Sequence, residues 1–485
     1  MGVRVASAAP SQAIPPWSES LTLDHYLNQV KNQNTGVIGS RLSSQAAVER
    51  SEEGKLLLAP TVFLNAQVTS DARIPQISFL QYESYVTKSV SLGVSKLTTF
   101  GLQAKFHYDL LSQYYVDPQL SPQFPLPAGG GNAPILFSFA NASPVLELTQ
   151  SLWGNGFGRA TRATQDQIEA QALASSYASS FQGKTTLVQA ETAYWRLALA
   201  RESIQVLREA LNRAKKLYDY SAKRARLHLA DDSDALQAEA QVQARELELI
   251  MAQDEERSAA REFNSQRSVD SSEVNETLPS LSQTNPALYK APERAEMRED
   301  VKASQQTARA SVANSILSLE RDSPTLEAFA SLALNGQRSF QAFGDLSDSI
   351  PLSFSLNRPT KTVGLRFSAP IDLSVTSRTR SGWTREQIAS EMNFDRKVFE
   401  QEQSWKNLNE SLRESKKRLV LSQRLERIQK AKLENERRRL ERGRSTTYQV
   451  LLFEQDYLTA ELMRVRSQAN VLTTLAQMKL FGVSS

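Results

Sequence analysis

Alternating apolar and polar residues mark several stretches of the chain as β-strands. Apolar side chains occupy every second position in residues 61–69, 86–94 and 100–110, and again in 326–334 and 363–369. A period of two predicts half-buried strands with one apolar face. Two interpretations are open: a sheet packed on a soluble core, or membrane-barrel strands with apolar residues toward lipid and polar residues toward a wet lumen.

Other stretches follow a helical period and are unusually long. Residues 159–226 contain no proline and one glycine, Gly183, and residues 383–441 contain neither. At about 1.5 Å per residue, the first stretch would reach roughly 100 Å. Heptad spacing of apolar residues, clearest in 451–476, predicts helices that pack on one another in a supercoil. Each half of the chain is expected to contain a long helical hairpin.

The order helix, β segment, long helix, long helix occurs twice. Residues 37–40 resemble 301–304 with an offset of 264, whereas 146–152 match 365–371 with an offset of 219. The first half therefore holds 45 additional residues (264 minus 219) within its β segment. We expect a flexible N-terminal segment at 1–20, a first repeat at 21–275, a linker at 276–292 and a second repeat at 293–485.

Composition excludes several classes of function. The 485 residues include no cysteine and three histidines, and the formal net charge is +4. Without cysteine there is no disulfide framework, thiol nucleophile or lipidated cysteine. Met1–Ala13 lacks the apolar segment of a secretory signal. No convergent His/Asp/Ser set and no metal-ligand spacing is present, so we expect no enzyme activity, no cofactor and no metal.

The charge is uneven in the second half. Residues 413–444 hold 13 Lys and Arg against five Glu. Such a run is either a solvated helix face or a surface for acidic partners. No aromatic residues alternate with Arg437-Arg438-Arg439, as single-stranded nucleic acid would need for stacking. We therefore expect no nucleic-acid partner.

Local motifs, taken in order, resemble the TolC family of outer-membrane efflux proteins. Leu21–Leu27 resembles the family's opening Leu-Thr-Leu-Glu-x-x-Leu, and Arg298–Val301 resembles the Arg-Pro-Asp-Leu that opens its second half. Leu148–Gly158 resembles the family's strand-to-helix junction, and Gly443–Leu451 its periplasmic hairpin turn. The resemblance extends from about residue 21 to residue 482.

The resemblance implies an α+β membrane protein in which a long antiparallel α-helical coiled-coil barrel joins an antiparallel transmembrane β-barrel. A homotrimer would form both barrels, in the lipid of the outer membrane and in the periplasm of a Gram-negative cell. The channel would be a passive export conduit of a tripartite efflux or type I secretion system. Its partners would be a periplasmic adaptor protein and an inner-membrane pump. The exported substrate is not indicated.

The 45 additional residues of the first half affect the number of strands expected in a barrel of this family. Residues 86–94 and 100–110, with a turn at 96–99, have the pattern of one whole hairpin. Inside the barrel wall it would give six strands per chain rather than four, and a trimer of 18 rather than 12. Outside the wall it would be an extracellular flap. Both alternatives are open, and residues 117–134, with five prolines, are expected to form a long exposed loop.

Family channels often narrow at the periplasmic tip through a ring of aspartates just after the hairpin turn. The resemblance assigns this gate to Asp231, Asp232 and Asp234 in the first half and to Gln449 in the second. Helix capping is an equally good interpretation of the aspartates. One residue can serve both roles.

Position near the tip also suggests contacts with the adaptor. The candidates are Arg226, Arg444 and Tyr448. The alternative to a channel is a soluble, structural coiled-coil scaffold protein that binds partners through the basic helix. It would explain the long helices and the missing signal, but not the alternating strands.

Overall fold

The computed structural model describes part of the chain. Its ranges are 20–73, 80–117, 119–120, 138–228, 231–281, 291–337 and 346–482. The predicted flexible segment at 1–20, most of the predicted loop at 117–134 and the middle of the predicted linker lie outside the described residues.

Helices make up most of the described chain. They are α1 (Leu23–Gln33), α2 (Thr35–Arg50), α3 (Glu53–Leu56), α4 (Arg159–Arg226), α5 (Asp232–Gln266), α6 (Glu299–Arg321), α7 (Leu346–Leu352), α8 (Leu373–Glu441) and α9 (Thr447–Met478). The two very long helices predicted from the sequence are confirmed as α4 and α8. None of the helices in the described ranges is long and apolar enough to cross a membrane.

Helix α8 begins at Leu373, ten residues before the stretch 383–441 that the sequence predicted to be helical. Asp372 precedes its first residue, and Oδ1 of Asp372 accepts hydrogen bonds from the backbone N–H groups of Ser374 and Val375, both at 3.1 Å. This cap stabilises the first turn. Gly382 is accommodated inside the helix, where a Cβ would meet no atom within 4 Å.

The strands lie between these helices. They are β1 (Thr61–Asp71), β2 (Leu80–Gln81), β3 (Ser84–Leu97), β4 (Leu102–Val116), β5 (Gln119–Leu120), β6 (Ser138–Trp153), β7 (Thr325–Leu334) and β8 (Pro359–Ser368). All five stretches with period-two alternation are strands, as predicted.

Six of the strands form one antiparallel sheet in the order β1-β3-β4-β6-β7-β8. The additional hairpin, β3–β4, lies within this sheet between β1 and β6, so the alternative of an external flap is wrong for the single chain. Strands β2 and β5 form a separate two-stranded ladder.

The chain divides into two compact units, to which both predicted repeats contribute. One unit comprises Met1–Ala46, Ser175–Ala303 and Asp395–Ser485, and the other comprises Ala47–Ala174 and Ser304–Phe394. We call them the helical unit and the sheet unit. The predicted repeat boundaries follow the order of elements along the sequence and stay a prediction.

Aromatic side chains form the centre of the helical unit. Tyr26 of α1 stacks on Phe263 of α5 with ring centroids 4.1 Å apart, and the Tyr26 hydroxyl donates to the Phe263 carbonyl at 3.0 Å. Tyr194 of α4 donates to the carbonyl of Leu21 at 2.9 Å. The heptad residues of α9, among them Val465 and Leu472, are buried in the same core. The predicted helix-on-helix packing is confirmed.

The sheet unit contains a tight turn from β6 into α4. Gly154, Asn155, Phe157 and Gly158 all have positive φ angles. The Asn155 side chain accepts a hydrogen bond from the backbone N–H of Thr161 at 3.0 Å, which stabilises the first turn of α4. A Cβ on Gly158 would lie 2.1 Å from the carbonyl oxygen of Thr99. Only glycine fits there.

Candidate functional site

One face of the six-stranded sheet is apolar and exposed. Val62, Val94, Phe106, Leu146 and Leu332 lie opposite one another in register across five successive strands. Their side chains are 74%, 42%, 53%, 41% and 38% exposed. Large apolar residues on the edge strand β8 are exposed as well. An apolar patch that runs across a whole sheet marks a surface that binds another molecule or a membrane.

The opposite face of the sheet is polar and carries charge. Lys105 of β4 lies 3.4 Å from Glu147 of β6. Nδ1 of the buried His107 lies 2.7 Å from Oδ1 of Asp109. These residues do not form a metal site, since the described part of the chain has no group of three His, Asp or Glu arranged to hold a metal ion. A soluble sheet buries its apolar face and exposes its polar face, whereas this sheet does the reverse.

The sheet has two open edges. Among the residues that the structure describes, strand β1 pairs only with β3, and β8 pairs only with β7. Nearly every residue of both edge strands is exposed, on the polar face as well as on the apolar face. Open edges do not occur in the hydrocarbon layer, because unpaired backbone groups there have no water to bind. A sheet whose apolar face meets lipid therefore needs partner strands at both of its edges.

The predicted gate aspartates lie at the start of α5. Asp231 is the residue before the helix, but its side chain makes no capping hydrogen bond. Asp232 and Asp234 occupy the first helical turn. The structure thus does not support a capping role for the Asp231 side chain. Three carboxylates at a helix N-terminus nevertheless stabilise the helix through its dipole. The gate assignment stays a prediction.

The second-half candidates lie at the start of α9 and are exposed. Gln449 donates its backbone N–H to Oγ1 of the capping residue Thr446 at 3.3 Å, and its side-chain oxygen accepts from Ser445 at 3.1 Å. Tyr448 is 56% exposed. Arg444 is exposed in the turn between α8 and α9. The Thr446 cap explains why α9 starts at Thr447.

Arg226 is the last residue of α4 and is also exposed. Its Nε donates to the carbonyl of Ala222 in its own helix at 3.3 Å. The structure brings the two hairpin tips together within the helical unit: Oγ of Ser221 lies 3.3 Å from Oγ1 of Thr447, and the Tyr220 hydroxyl donates to the Leu440 carbonyl at 3.4 Å. Gate and adaptor candidates from both halves therefore belong to one tip.

Solved structures of outer-membrane channels have a similar fold. The outer-membrane channel OprN has a TM-score of 0.66, with 16% identity over 95% of this chain and 90% of its own. CusC, whose structures concern transmembrane channel formation, has a TM-score of 0.64, with 11% identity over 99% of both chains. The open MtrE outer-membrane channel of Neisseria gonorrhoeae has a TM-score of 0.62, with 16% identity over 95% of this chain and 89% of its own. No family model and no curated protein matches the sequence.

The chain has the fold of the outer-membrane channels. The fold class predicted from the motifs is therefore confirmed, including the sheet and the long helices of each half. An exposed apolar face is also what the strands of a membrane barrel present to lipid.

The structure of this outer-membrane channel fold also contains a buried ion network that sequence analysis missed. Arg213 of α4 lies 3.1 Å from Glu454 and 3.6 Å from Glu461, both on α9. Arg437 of α8 also binds Glu454. The Tyr457 hydroxyl donates to Glu461 at 3.1 Å, and burial raises the pKa of the Glu461 carboxyl against the opposing charge of Arg213. The network ties three helices together just above the tip.

One sequence signal for this network existed. Glu454 and Glu461 are seven residues apart on a helix with a heptad pattern of mostly apolar residues, so both carboxylates lie on the same side of the helix. Buried carboxylates require partners. The basic residues of α4 and α8 that supply them could not be identified without knowing which helices are neighbours.

Proposed function

We propose that this protein is the outer-membrane channel of a tripartite efflux or type I secretion system. It is a passive conduit across the periplasm and the outer membrane, and it has no catalytic step. The observation that carries the proposal is the six-stranded sheet, whose exposed apolar face is continuous across the strands in a chain with the fold of OprN, CusC and MtrE.

The working form is a homotrimer, as the resemblance to the TolC family implies. In the sheet unit, the open edges β1 and β8 supply the contacts between copies. In the helical unit, α5 carries nine acidic and three basic residues, whereas residues 413–444 of α8 carry 13 basic and five acidic residues. A ring of copies places one of these helices against the other, with complementary charge.

The tip of the helical unit is where partners bind. An adaptor protein from the periplasm contacts Arg226, Arg444 and Tyr448, which are exposed and lie on neighbouring helix ends. An inner-membrane pump supplies cargo through this adaptor. Asp231, Asp232, Asp234 and Gln449 form the constriction at the tip, with three carboxylates from every copy.

The alternative, a soluble scaffold protein, is favoured by one observation. Lys416, Lys417, Arg424 and Arg427 are exposed and form no ion pair within the described ranges. Free basic residues could bind an acidic partner. A soluble scaffold would, however, expose the apolar face of the sheet to water, so the channel explains more of the molecule.

Two substitutions on adjacent residues of β3 separate these functions. Leu92 is 54% exposed on the apolar face, and Ser91 on the polar face lies opposite Asp109. A lysine at a lipid-facing midplane position costs about 2–4 kcal/mol. We expect Leu92→Lys to lower the amount of heat-resistant oligomer in outer-membrane fractions, and Ser91→Lys to be tolerated because Asp109 faces it.

The measurement is membrane fractionation followed by electrophoresis of unheated samples. A soluble protein that tolerates both substitutions equally would contradict the channel. Electron microscopy of the detergent-extracted protein provides a second readout, in which a threefold ring is expected.

A further inference from the structure

The hairpin β3–β4 is part of the sheet along its whole length. Every residue from Thr61 to Asp71 of β1 has a partner in β3, and β4 pairs with β6 from Leu102 to Tyr114 without a break in register. Its apolar residues, such as Leu92 and Phe106, continue the exposed apolar face of the neighbouring strands. The hairpin therefore has the surface of a barrel wall.

The turn of the hairpin is fixed to the turn that leads from β6 into α4. Arg162 donates to the Thr99 carbonyl at 3.2 Å, and the Gln150 side chain donates to the Phe100 carbonyl at 3.0 Å. Gly158 packs directly against Thr99, where no side chain would fit. A hairpin held at its turn in this way cannot swing out of the sheet.

On the polar face of the sheet, two large aromatic side chains lie close to the neighbouring strands. The Phe63 ring of β1 lies over Gly93 of β3, where a Cβ would come within 2.6 Å of it, and Nζ of Lys105 lies 5.1 Å from the centre of the same ring. The second half repeats this arrangement with the Phe329 ring over Gly364. These two rings therefore lie close to glycines of the neighbouring strand.

The direction of the edge strands allows closure. Six antiparallel strands alternate in direction, so β1 and β8 run in opposite directions. When β8 of one copy lies beside β1 of the next, the pair is antiparallel like every other pair in the sheet. Three copies then close a barrel with no unpaired edge.

We propose that three copies close an eighteen-stranded barrel whose bore is about 25 Å wide, the width of a small folded polypeptide. The proposal rests on the proposed function. Strands about 4.8 Å apart and tilted by about 40° give a backbone diameter of about 36 Å for eighteen strands and about 24 Å for twelve. Inward side chains leave about 25 Å and 15 Å. A compact chain of about 50 residues has a diameter of about 25 Å.

Disulfide cross-linking tests the order of the strands, because the chain has no cysteine of its own. Asn65, Ser91, Asp109 and Ser143 lie in one register row on the polar face of β1, β3, β4 and β6. Opposed residues in a sheet are close enough for a disulfide. We expect Asn65→Cys with Ser91→Cys to cross-link within one chain in outer membranes, and Asn65→Cys with Ser143→Cys not to. The reverse result places β1 beside β6, as in a twelve-stranded wall, and overturns the proposal.

Polymer exclusion tests the bore. The purified full-length protein is inserted into planar bilayers, and uncharged polyethylene glycols of graded size are added at the barrel mouth. We expect polymers up to about 25 Å in hydrodynamic diameter to enter and lower the conductance. A cut-off near 15 Å, in a protein that forms channels, overturns the wide bore and leaves the proposed function intact. A protein that forms no channel and no outer-membrane oligomer contradicts the proposed function itself.

Discussion

Single residues determine how the segment after α5 is held in the helical unit. Arg267 is buried, donates to Glu276 at 2.6 Å and lies over the ring of Phe263 at 5.1 Å. Asn264 is fully buried, and its amide donates to the carbonyls of Ser271 and Glu273. These contacts satisfy backbone groups in a segment without regular structure. The segment is therefore a rigid part of the core.

The ion pair at Glu276 makes the stability of this region dependent on pH. Burial raises the pKa of the Glu276 carboxyl, but the hydrogen bond from Arg267, its own backbone amide and the charges of Arg267 and Arg201 together hold it below its usual range. Since the folded pKa is below the unfolded value of about 4.3, the stabilisation is present above that pH and lost as the pH falls further.

We expect Glu276→Gln to lower the unfolding free energy at pH 7 by about 1–3 kcal/mol, because Arg267 stays buried without its charged partner. The variant should also lose part of the acid-dependent change between about pH 5 and 3. Urea unfolding of the detergent-extracted protein, followed by tryptophan fluorescence, measures both effects. The control is Glu273→Gln, an exposed residue in the same segment. Equal behaviour of the two variants would show that the pair contributes nothing.

At the scale of elements, α5 and α8 each present an apolar stripe with one charge in it. Leu247, Ile250 and Met251 of α5 are exposed, and Asp254 continues the stripe. On α8 the exposed residues Leu421, Leu425 and Ile428 surround Arg424. Because the two helices carry opposite net charge, we propose that these exposed apolar stripes face each other between neighbouring copies.

The contacts of α9 give the relative height of these stripes. Arg245 of α5 binds Gln455, and Arg464, nine residues further along α9, lies 2.8 Å from Glu426 of α8. Nine residues beyond Arg245 on α5 is Asp254. Asp254 and Arg424 thus lie at nearly the same height, and rotation about a threefold axis along the helices preserves it.

A charge exchange tests this interface. We expect Arg424→Asp to reduce the heat-resistant trimer by placing two carboxylates opposite each other, and Asp254→Arg to do the same with two cations. The double variant should restore the trimer. Arg413, exposed on the same helix but outside the stripe, supplies the control Arg413→Asp. Failure of the double variant to recover would argue that other surfaces hold the copies together.

The elements also show how far the sequence determines the structure. Period-two alternation located five strands, and the absence of helix breakers located α4 and α8, because both signals are local. The position of the additional hairpin could not be predicted from local sequence. A hairpin inside the sheet and a hairpin outside it have the same alternation of apolar and polar residues. The Arg213–Glu454–Arg437 network and the rings of Phe63 and Phe329 were missed for the same reason. Their partners come from other elements.

The whole molecule is expected to conduct ions selectively through its tip. Asp231, Asp232 and Asp234 of every copy would surround the narrowest part of the conduit and attract cations. We expect the triple change of these residues to Asn to lower the cation-to-anion permeability ratio, measured from reversal potentials in a salt gradient. Asparagine is as favourable as aspartate at a helix start, so this change removes the charge without disfavouring the start of α5.

Glu239 on the next turn of α5 is exposed and provides the control Glu239→Gln. A permeability ratio that is unchanged in the triple variant would leave the aspartates as residues of the helix start alone. A change of equal size in the control would assign the selectivity to the general charge of α5.

The place of the hairpin within the sheet limits how such barrels can change size during evolution. A single inserted strand would make β8 of one copy parallel to β1 of the next. This would break the antiparallel pairing at all three contacts between copies of the trimer. A complete hairpin preserves the alternation. A trimeric barrel built from this fold therefore grows by two strands per gene insertion and by six strands per assembled pore, and intermediate diameters are not accessible to it.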